Sequence, residues 1–511
     1  MYEVNFPQVA GALDVGLYII IFITIVFFLE HRRCTIPPQG LSFPPGPYGK
    51  PIVGSILELA QEEAPRVISR YKNQYSDVVM FMGLGNKVLV LNILEAINEL
   101  FDRRASNYFH RPASVVGGEL MHLNEQSMIF MPYGPEWRAH RKLAHAALNP
   151  AQVKGYHTLQ EDIAALFAKA LVDTPHDFYS HVRVSAGRTI IAITYGMPVS
   201  EAQEKYIATG ERFLEVATKA VIPGNYICDF LPFLKYALSW VHFQREAREG
   251  RALIMEFLTK PFDHVKRDLD TGVALPSLTR ELLLSSTEDM VDLERRIVWV
   301  GGSLFGAGAE TTYATVLSFI LAMALNPEKQ KLAQQEIDSI IGGDRLPMIQ
   351  DCHRLPYVRA VVKETMRWQL AVPLGLPRLA AKDDTYGTFY IPKNTILIPN
   401  IWAIGHNKNG KYHPDAFISE RFIDDTENVV DPMLWAFGFG RRICPGRHMG
   451  ENSVFIHIAT ILCAFDVFPP LDGKLVQDFT QHLVRCPKPF KCVIVPRSAA
   501  KAKLVYERAQ Q

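Results

Sequence analysis

The sequence has no charge excess, no paired cysteines and no visible internal seam. Its 511 residues carry 54 Lys and Arg against 53 Asp and Glu. There is therefore no basic field to attract nucleic acid, and the expected partners are neutral small molecules or a membrane. The seven cysteines (Cys34, Cys228, Cys352, Cys444, Cys463, Cys486, Cys492) are odd in number and scattered, with no Cys-x-x-Cys pair to suggest zinc or a redox dithiol. This usage fits a reducing compartment. No Asn-x-Ser/Thr acceptor occurs, in keeping with a body that never meets the glycosylation machinery. Nothing internal looks like a domain boundary, so residues 52–511 are read as one large domain.

Apolar residues and then proline are concentrated in the first fifty positions. Val15 to Leu29 reads VGLYIIIFITIVFFL without a charge, and extending back to Val9 adds only Asp14 as an interruption. That length spans about 30 Å of hydrocarbon as a helix. Glu3 and Asp14 precede the run and Arg32 and Arg33 follow it, the reverse of a cleaved signal peptide. Residues 1–33 are thus expected to be an uncleaved transmembrane anchor, with the positive flank placing the body on the cytosolic face. Residues 34–51 form a hinge. Pro37, Pro38, Pro44, Pro45, Pro47 and Pro51 stand in it with three glycines, so it should be a stiff extended strap outside any helix or ladder.

Beyond the hinge, Val78 to Met82 and Lys87 to Leu91 are β-branched apolar runs joined by Gly83-Leu84-Gly85-Asn86, a hairpin pattern. Helical periodicity dominates after about residue 93. Residues 105–131 are irregular and rich in Gly, Met and Phe. Residues 199–222 and 236–268 read as long amphipathic helices, and the connection from Pro223 to Phe233 is unusually apolar for a loop. From about Leu293 to Leu325 runs a long apolar helix containing Gly301, Gly302, Gly306 and Gly308. Each glycine costs a helix about 1 kcal/mol relative to alanine, so the cluster implies something lying flat against the backbone there. Asn326-Pro327-Glu328 reads as an N-cap that opens the next helix. Short strands are expected between Tyr386 and Pro399, and a helix over Arg447 to Phe465.

The chain is organised around Phe437-Gly438-Phe439-Gly440-Arg441-Arg442-Ile443-Cys444-Pro445-Gly446. Glycine and proline on both sides place Cys444 in a loop that can aim backbone N–H groups at its sulfur. A sulfur so bonded beside two arginines is expected to be a thiolate, hence a metal ligand or nucleophile. Taken alone the loop fits a buried free cysteine better than a ligand. The pattern Phe-x-x-Gly-x-Arg-x-Cys-x-Gly is matched at Phe437, Gly440, Arg442, Cys444 and Gly446, and it resembles the haem-ligand loop of the cytochrome P-450 family, in which cysteine thiolate holds the iron.

Four further patterns agree with this resemblance and occur in the family's order. Trp137 and Arg141 share a face of the helix beginning near Pro135 and resemble the family's haem-propionate pair. Ala307-Gly308-Ala309-Glu310-Thr311-Thr312 resembles its oxygen-activating helix, which implies Glu310 and Thr311 in proton delivery. Glu364 and Arg367, by themselves an ordinary surface ion pair, resemble the family's Glu-x-x-Arg pair. Arg421 of Glu420-Arg421-Phe422 would be its third member, although Ser419 replaces the more frequent proline. Arg378, at the spacing of another propionate arginine, follows Pro377 where many relatives carry histidine. The wording from Pro223 to Tyr236 resembles fungal members that oxidise secondary metabolites.

The resemblance implies a mainly α fold: a helix-rich body with small β-sheets, and haem b (iron protoporphyrin IX) between a distal long helix and the proximal cysteine loop. It implies a microsomal monooxygenase in the endoplasmic reticulum membrane, taking electrons from NADPH-cytochrome P-450 reductase, with cytochrome b5 as a second possible donor. A lipophilic substrate would lie under residues 105–131. A non-catalytic haem-thiolate sensor or carrier remains the alternative at this point. It would need Cys444 but neither Glu310 nor Thr311.

Overall fold

The computed structural model describes residues 37–510 apart from 51–52, 199–200, 222–224, 230–231, 286–289, 409–410, 425, 427–428 and 472. The anchor expected at residues 1–33 lies outside the described residues.

Strands β1 (Val78–Gly83) and β2 (Asn86–Leu91) pair antiparallel with Gly83 opposite Asn86. Only Leu84 and Gly85 are left for the turn, at φ +50° and +76°, the two positive values of a type I′ hairpin. Strands β5 (Phe389–Ile391) and β6 (Ile396–Pro399) fall in the region from Tyr386 to Pro399 expected to form short strands, while β3 (Arg378–Leu379) and most of β4 (Asp384–Tyr386) precede it. The main sheet runs β1-β2-β6-β3, with β6 parallel to β2. This pairing across some 300 residues places Arg378 opposite Leu397 at the sheet edge.

The proline strap, expected to lie outside any helix or ladder, forms no strand of its own, but its backbone is tied to β1 and to the β4–β5 hairpin. Pro45 O accepts from Met80 N (3.0 Å), Ser42 N donates to Thr388 O (3.2 Å), and Tyr390 N donates to Ser42 O (2.8 Å). Proline lacks a donor, but its carbonyl still accepts. Gly46 is pressed so closely on β1 that a Cβ would lie 1.9 Å from Met80 O.

The body is helical. The helices used below are α1 (Pro135–Leu148), α2 (His157–Asp173), α3 (Phe178–Tyr195), α4 (Glu201–Val221), α5 (His242–Asp270), α6 (Met290–Leu325), α7 (Pro327–Ile340), α8 (Pro356–Trp368) and α9 (Arg447–Ala464). Helix α5 begins six residues later than its periodicity suggests, because Pro232–Tyr236 turns as a 3-10 segment first. At the start of α7, Asn326 does not cap as expected. Its side-chain amide donates back to Ala322 O (2.8 Å), and Pro327 alone sets the break.

Helix α6 is the axis of the molecule. Val316, Leu317, Phe319, Ile320, Leu321, Ala322 and Met323 are fully buried, so this stretch is covered on every side. By length and composition α6 could cross a membrane; its burial makes it a core helix. Its glycines do have neighbours lying against them, but these are other helices. A Cβ at Gly301 would meet the Tyr195 hydroxyl of α3 at 2.4 Å, at Gly302 Leu258 of α5 at 1.8 Å, and at Gly308 Ile190 of α3 at 2.6 Å. The glycines therefore serve close helix packing, and α6 packs most extensively on α3.

The ion pair of α8 is the opposite of a surface pair. Glu364 has no exposed surface; Arg367 and Arg421 are 3% and 6% exposed. Arg367 grips the carboxylate with two bonds (Nε–Oε2 2.6 Å, Nη2–Oε1 2.8 Å), and Arg421 Nε lies 3.0 Å from Oε2. The same guanidiniums donate to the carbonyls of Gly405, His413, Pro414 and Ala416. They thereby fasten the irregular segment that leads toward the cysteine loop. Ser419, the departure from proline, is buried with no partner for its hydroxyl, and the triad closes around it.

Candidate functional site

The cysteine loop leaves a 3-10 turn (Gly440–Arg442), of which only Arg442 is buried, and enters α9. Gly438 (φ +81°) and Gly440 (φ +55°) supply the left-handed conformations that the reversal needs. Cys444 N donates to Phe437 O (2.8 Å), and the sulfur accepts from Gly446 N at the mouth of α9.

Burial pushes the Cys444 thiol up, and the Gly446 N–H, Arg141 and Arg447 oppose it. The two adjacent arginines turn away. Arg441 reaches the Tyr133 hydroxyl (3.3 Å), and Arg442 donates to Phe109 O and Met131 O (2.8 Å each). The loop orients the sulfur and partly offsets its desolvation; a bound cation must supply the rest of the charge.

Cys444 opens into a cavity enclosed by the cysteine loop, α6 and the segment 105–131. One wall carries Cys444, Phe437 and Pro445; the opposite wall is α6, through Ala307, Thr311, Thr312 and Thr315. The rim carries four arginines, Arg111, Arg141, Arg378 and Arg442, and no carboxylate lines the cavity.

That imbalance defines the missing ligand. Arg378 Nη2 donates to Phe439 O (2.6 Å) while its Nη1 is buried without a partner, and Arg442 Nη1 is likewise orphaned. Burial first, then the like charges of Arg378 and Arg141, push Arg442 down to about 9. Apart from the field of Asp102 on Arg378 these buried cations are short of counter-charge, which is costly, and a flat dianionic group such as haem, with its two propionates, fits the donor set. Trp137 and Arg141 also line the cavity, but in this state Trp137 Nε1 donates to Met128 O (3.2 Å) and Arg141 Nη2 to Ile443 O (2.5 Å).

On the distal wall, Thr311 Oγ1 donates to Ala307 O (2.7 Å), one turn back. Thr312 also faces the cavity, although a step of about 100° separates neighbouring residues on a helix. Glu310 does not line it. Its carboxyl, pushed up by burial, lies within the fields of Arg183 and His482. Arg183 is in turn held by Glu211 (3.3 Å) and stacked 4.1 Å over the Tyr313 ring. The two neighbours read as one proton-handling unit thus point to different surroundings.

Residues 105–131 roof the cavity with Met128 and Ile129. They are not a surface loop: Val115, Val116, Met121, Leu123 and Met131 are buried. Arg111, which no motif marked, pins this roof by donating to Ile129 O, Leu376 O and Pro377 O. Its charge alone does not set it apart in the sequence, since Glu119 and Glu125 stand in the same stretch.

Comparison with known proteins agrees with this geometry. The family model described as cytochrome P-450 matches residues 44–494. The cytochrome P-450 monooxygenase COX1 of Coprinopsis cinerea is 36% identical over 504 residues, covering 94% of this chain and 97% of that protein. The cytochrome P-450 monooxygenase claR of Ampulloclitocybe clavipes is 34% identical over 98% of this chain and 93% of its own length. With a cysteine facing a threonine-bearing helix across an arginine-rimmed cavity, and with full-length similarity to these enzymes, the chain belongs to the cytochrome P-450 family of haem-thiolate monooxygenases.

Proposed function

We propose that this protein is a membrane-anchored member that inserts one oxygen atom from O2 into a lipophilic small molecule, in fungal secondary-metabolite biosynthesis or in xenobiotic oxidation. The observation that carries the reading is the cavity: Cys444 on one wall, Thr311 on the other, four arginines between them. Cys444 would ligate the haem iron through its sulfur. Arg378 and Arg442, through their orphaned nitrogens, would hold the propionates together with Arg141 and Trp137, and Phe437 would help to line the haem site.

Bound haem supplies the redox chemistry, to which electron-rich thiolate ligation contributes the cleavage of dioxygen. The chain's own residues do the rest. Thr311 presents a hydroxyl that can hold a water in the cavity and pass a proton to oxygen, and Glu310, raised by burial, supplies protons from the side of Arg183. Met128, Ile129, Val372 and Leu376 give an apolar lining that excludes water and selects lipophilic substrates.

Exposed cations around the cysteine loop (Arg138, Lys142, Arg441, Arg447) form a basic face suited to an acidic electron donor, which we assign to NADPH-cytochrome P-450 reductase, with cytochrome b5 as a second donor. Residues 1–33 anchor the protein in the endoplasmic reticulum. Ile227, Phe233, Tyr236, Leu238 and Trp240 between α4 and α5 are 64–81% exposed, an apolar patch suited to the same bilayer.

The test is Cys444→Ser. Serine is a poor ligand for ferric iron, so the thiolate-type CO spectrum and reductase-driven product formation are expected to vanish together. Retention of the thiolate spectrum would falsify the assignment of Cys444.

A further inference from the structure

Helix propagation through residues 94–98 changes at Glu99–Arg103 into a π-turn. Such turns displace side chains from their α-helical positions and recur at functional sites. Here the turn lies against the cysteine loop. A Cβ on Gly440 would come within 2.4 Å of Phe101 O and 2.8 Å of Asp102 Oδ1. The fixed glycine of the loop is therefore required by what touches it as well as by its φ of +55°.

Two consecutive side chains of the π-turn address the same arginine. Phe101, fully buried, places its ring 4.3 Å from the Arg378 guanidinium. Asp102, exposed on its outer side, brings Oδ1 against Gly440; burial pushes its carboxyl up, and the Arg378 charge and the Gly440 N–H oppose that. Arg378 closes the circuit by donating to Phe439 O at 2.6 Å.

We propose that Asp102 is a positioning residue of the haem-thiolate loop: from the π-turn it latches Gly440 and serves as the counter-charge of Arg378, holding both in place for the cofactor. The inference rests on the reading that Cys444 binds haem. Without the latch the loop relies on Cys444 N to Phe437 O, Ile443 N to Gly440 O, Gly438 N to Trp435 O and the arginine bonds to carbonyls, none of which holds Gly440 N. Asp102 itself touches no reacting atom. It acts through Gly440 and Arg378.

The test uses the full-length haem-loaded protein in detergent with Asp102→Ala and Asp102→Asn, held well below each variant's unfolding midpoint. Three quantities are read: decay of the thiolate-type CO complex, transfer of haem to apomyoglobin, and the haem reduction potential. Alanine removes acceptor and charge, so decay and haem transfer should accelerate about fivefold, the effect of losing one partly screened bond to a charged acceptor. Asparagine keeps an oxygen for Gly440 N–H, so both rates should return to near wild type. With the negative charge gone, both variants should shift the potential positive. Wild-type rates in the alanine variant, or equal acceleration in both, would overturn the latch, and an unmoved potential in the asparagine variant would overturn the counter-charge. Failure of the underlying haem reading looks different, since Cys444→Ser would then keep its thiolate spectrum whatever Asp102 does.

Discussion

Replacing Glu364 tests how the fold holds its site. Four donors converge on this carboxylate, from Arg367 Nε and Nη2, Arg421 Nε and Ile418 N. Glu364→Gln keeps the volume but leaves two buried guanidiniums without a counter-charge, at about 3–5 kcal/mol. That is a large part of the roughly 5–15 kcal/mol that keeps a domain folded. Buried ion triads can often be exchanged for apolar residues at little cost. This one should not be exchangeable. Its guanidiniums also satisfy the carbonyls of Gly405, His413, Pro414 and Ala416, and each buried carbonyl left bare costs about 1–3 kcal/mol. The combined variant Glu364→Met, Arg367→Met, Arg421→Met should therefore be no more stable than Glu364→Gln alone. The assay is the urea midpoint for loss of the thiolate-type CO spectrum, with far-UV circular dichroism in parallel. A triple variant recovering the wild-type midpoint would refute the argument that the carbonyls matter.

Thr311→Ala should keep fold and haem while product per NADPH falls at least about threefold and trapped peroxide rises; Thr311→Ser should restore coupling. Because Thr312 also lines the cavity, the neutral comparison is Ser318→Ala, deep in the core part of α6, and equal coupling in wild type and Thr311→Ala would sink the relay. Burial holds His140 and His457 near 4, below their ordinary 6.5. As pH falls the unfolded chain takes these protons first, so stability is complete above about 6.5 and is lost toward 4. His140→Gln should flatten that limb by one proton, and an unchanged slope of unfolding free energy against pH would count against it. Deleting residues 1–33 should release the protein from membranes on carbonate extraction while haem binding persists, and firm retention would exclude a single anchor.

What could be read from the sequence was local. The hairpin turn, the break at Pro327, the helix after Cys444 and the loop that presents it each follow from a few adjacent residues whose backbone preferences agree. What escaped was set by neighbours far along the chain. The glycines of α6 announced close approach, yet only the packed structure shows that Tyr195 and Leu258 do the approaching. Glu310 and Thr311 are adjacent in sequence, but a helix turns them to different environments, and the acid belongs with Arg183. Glu364 and Arg367 carry no mark of their burial in their spacing. Arg111 and Asp102 matter because β2 meets β6 and a π-turn meets the cysteine loop, contacts that no periodicity encodes. The charge state of Cys444 also depends on desolvation, which the loop's composition does not show.

The strap's bonds to the sheet set the length of a leash. Ser42 is tied to Thr388 and Tyr390, so only residues 34–41 separate the proposed anchor from a fixed point on the body. Fully stretched, that piece reaches about 28 Å. If residues 1–33 sit in the bilayer as proposed, the β4–β5 turn at Thr388 can rise no further than that above the lipid surface.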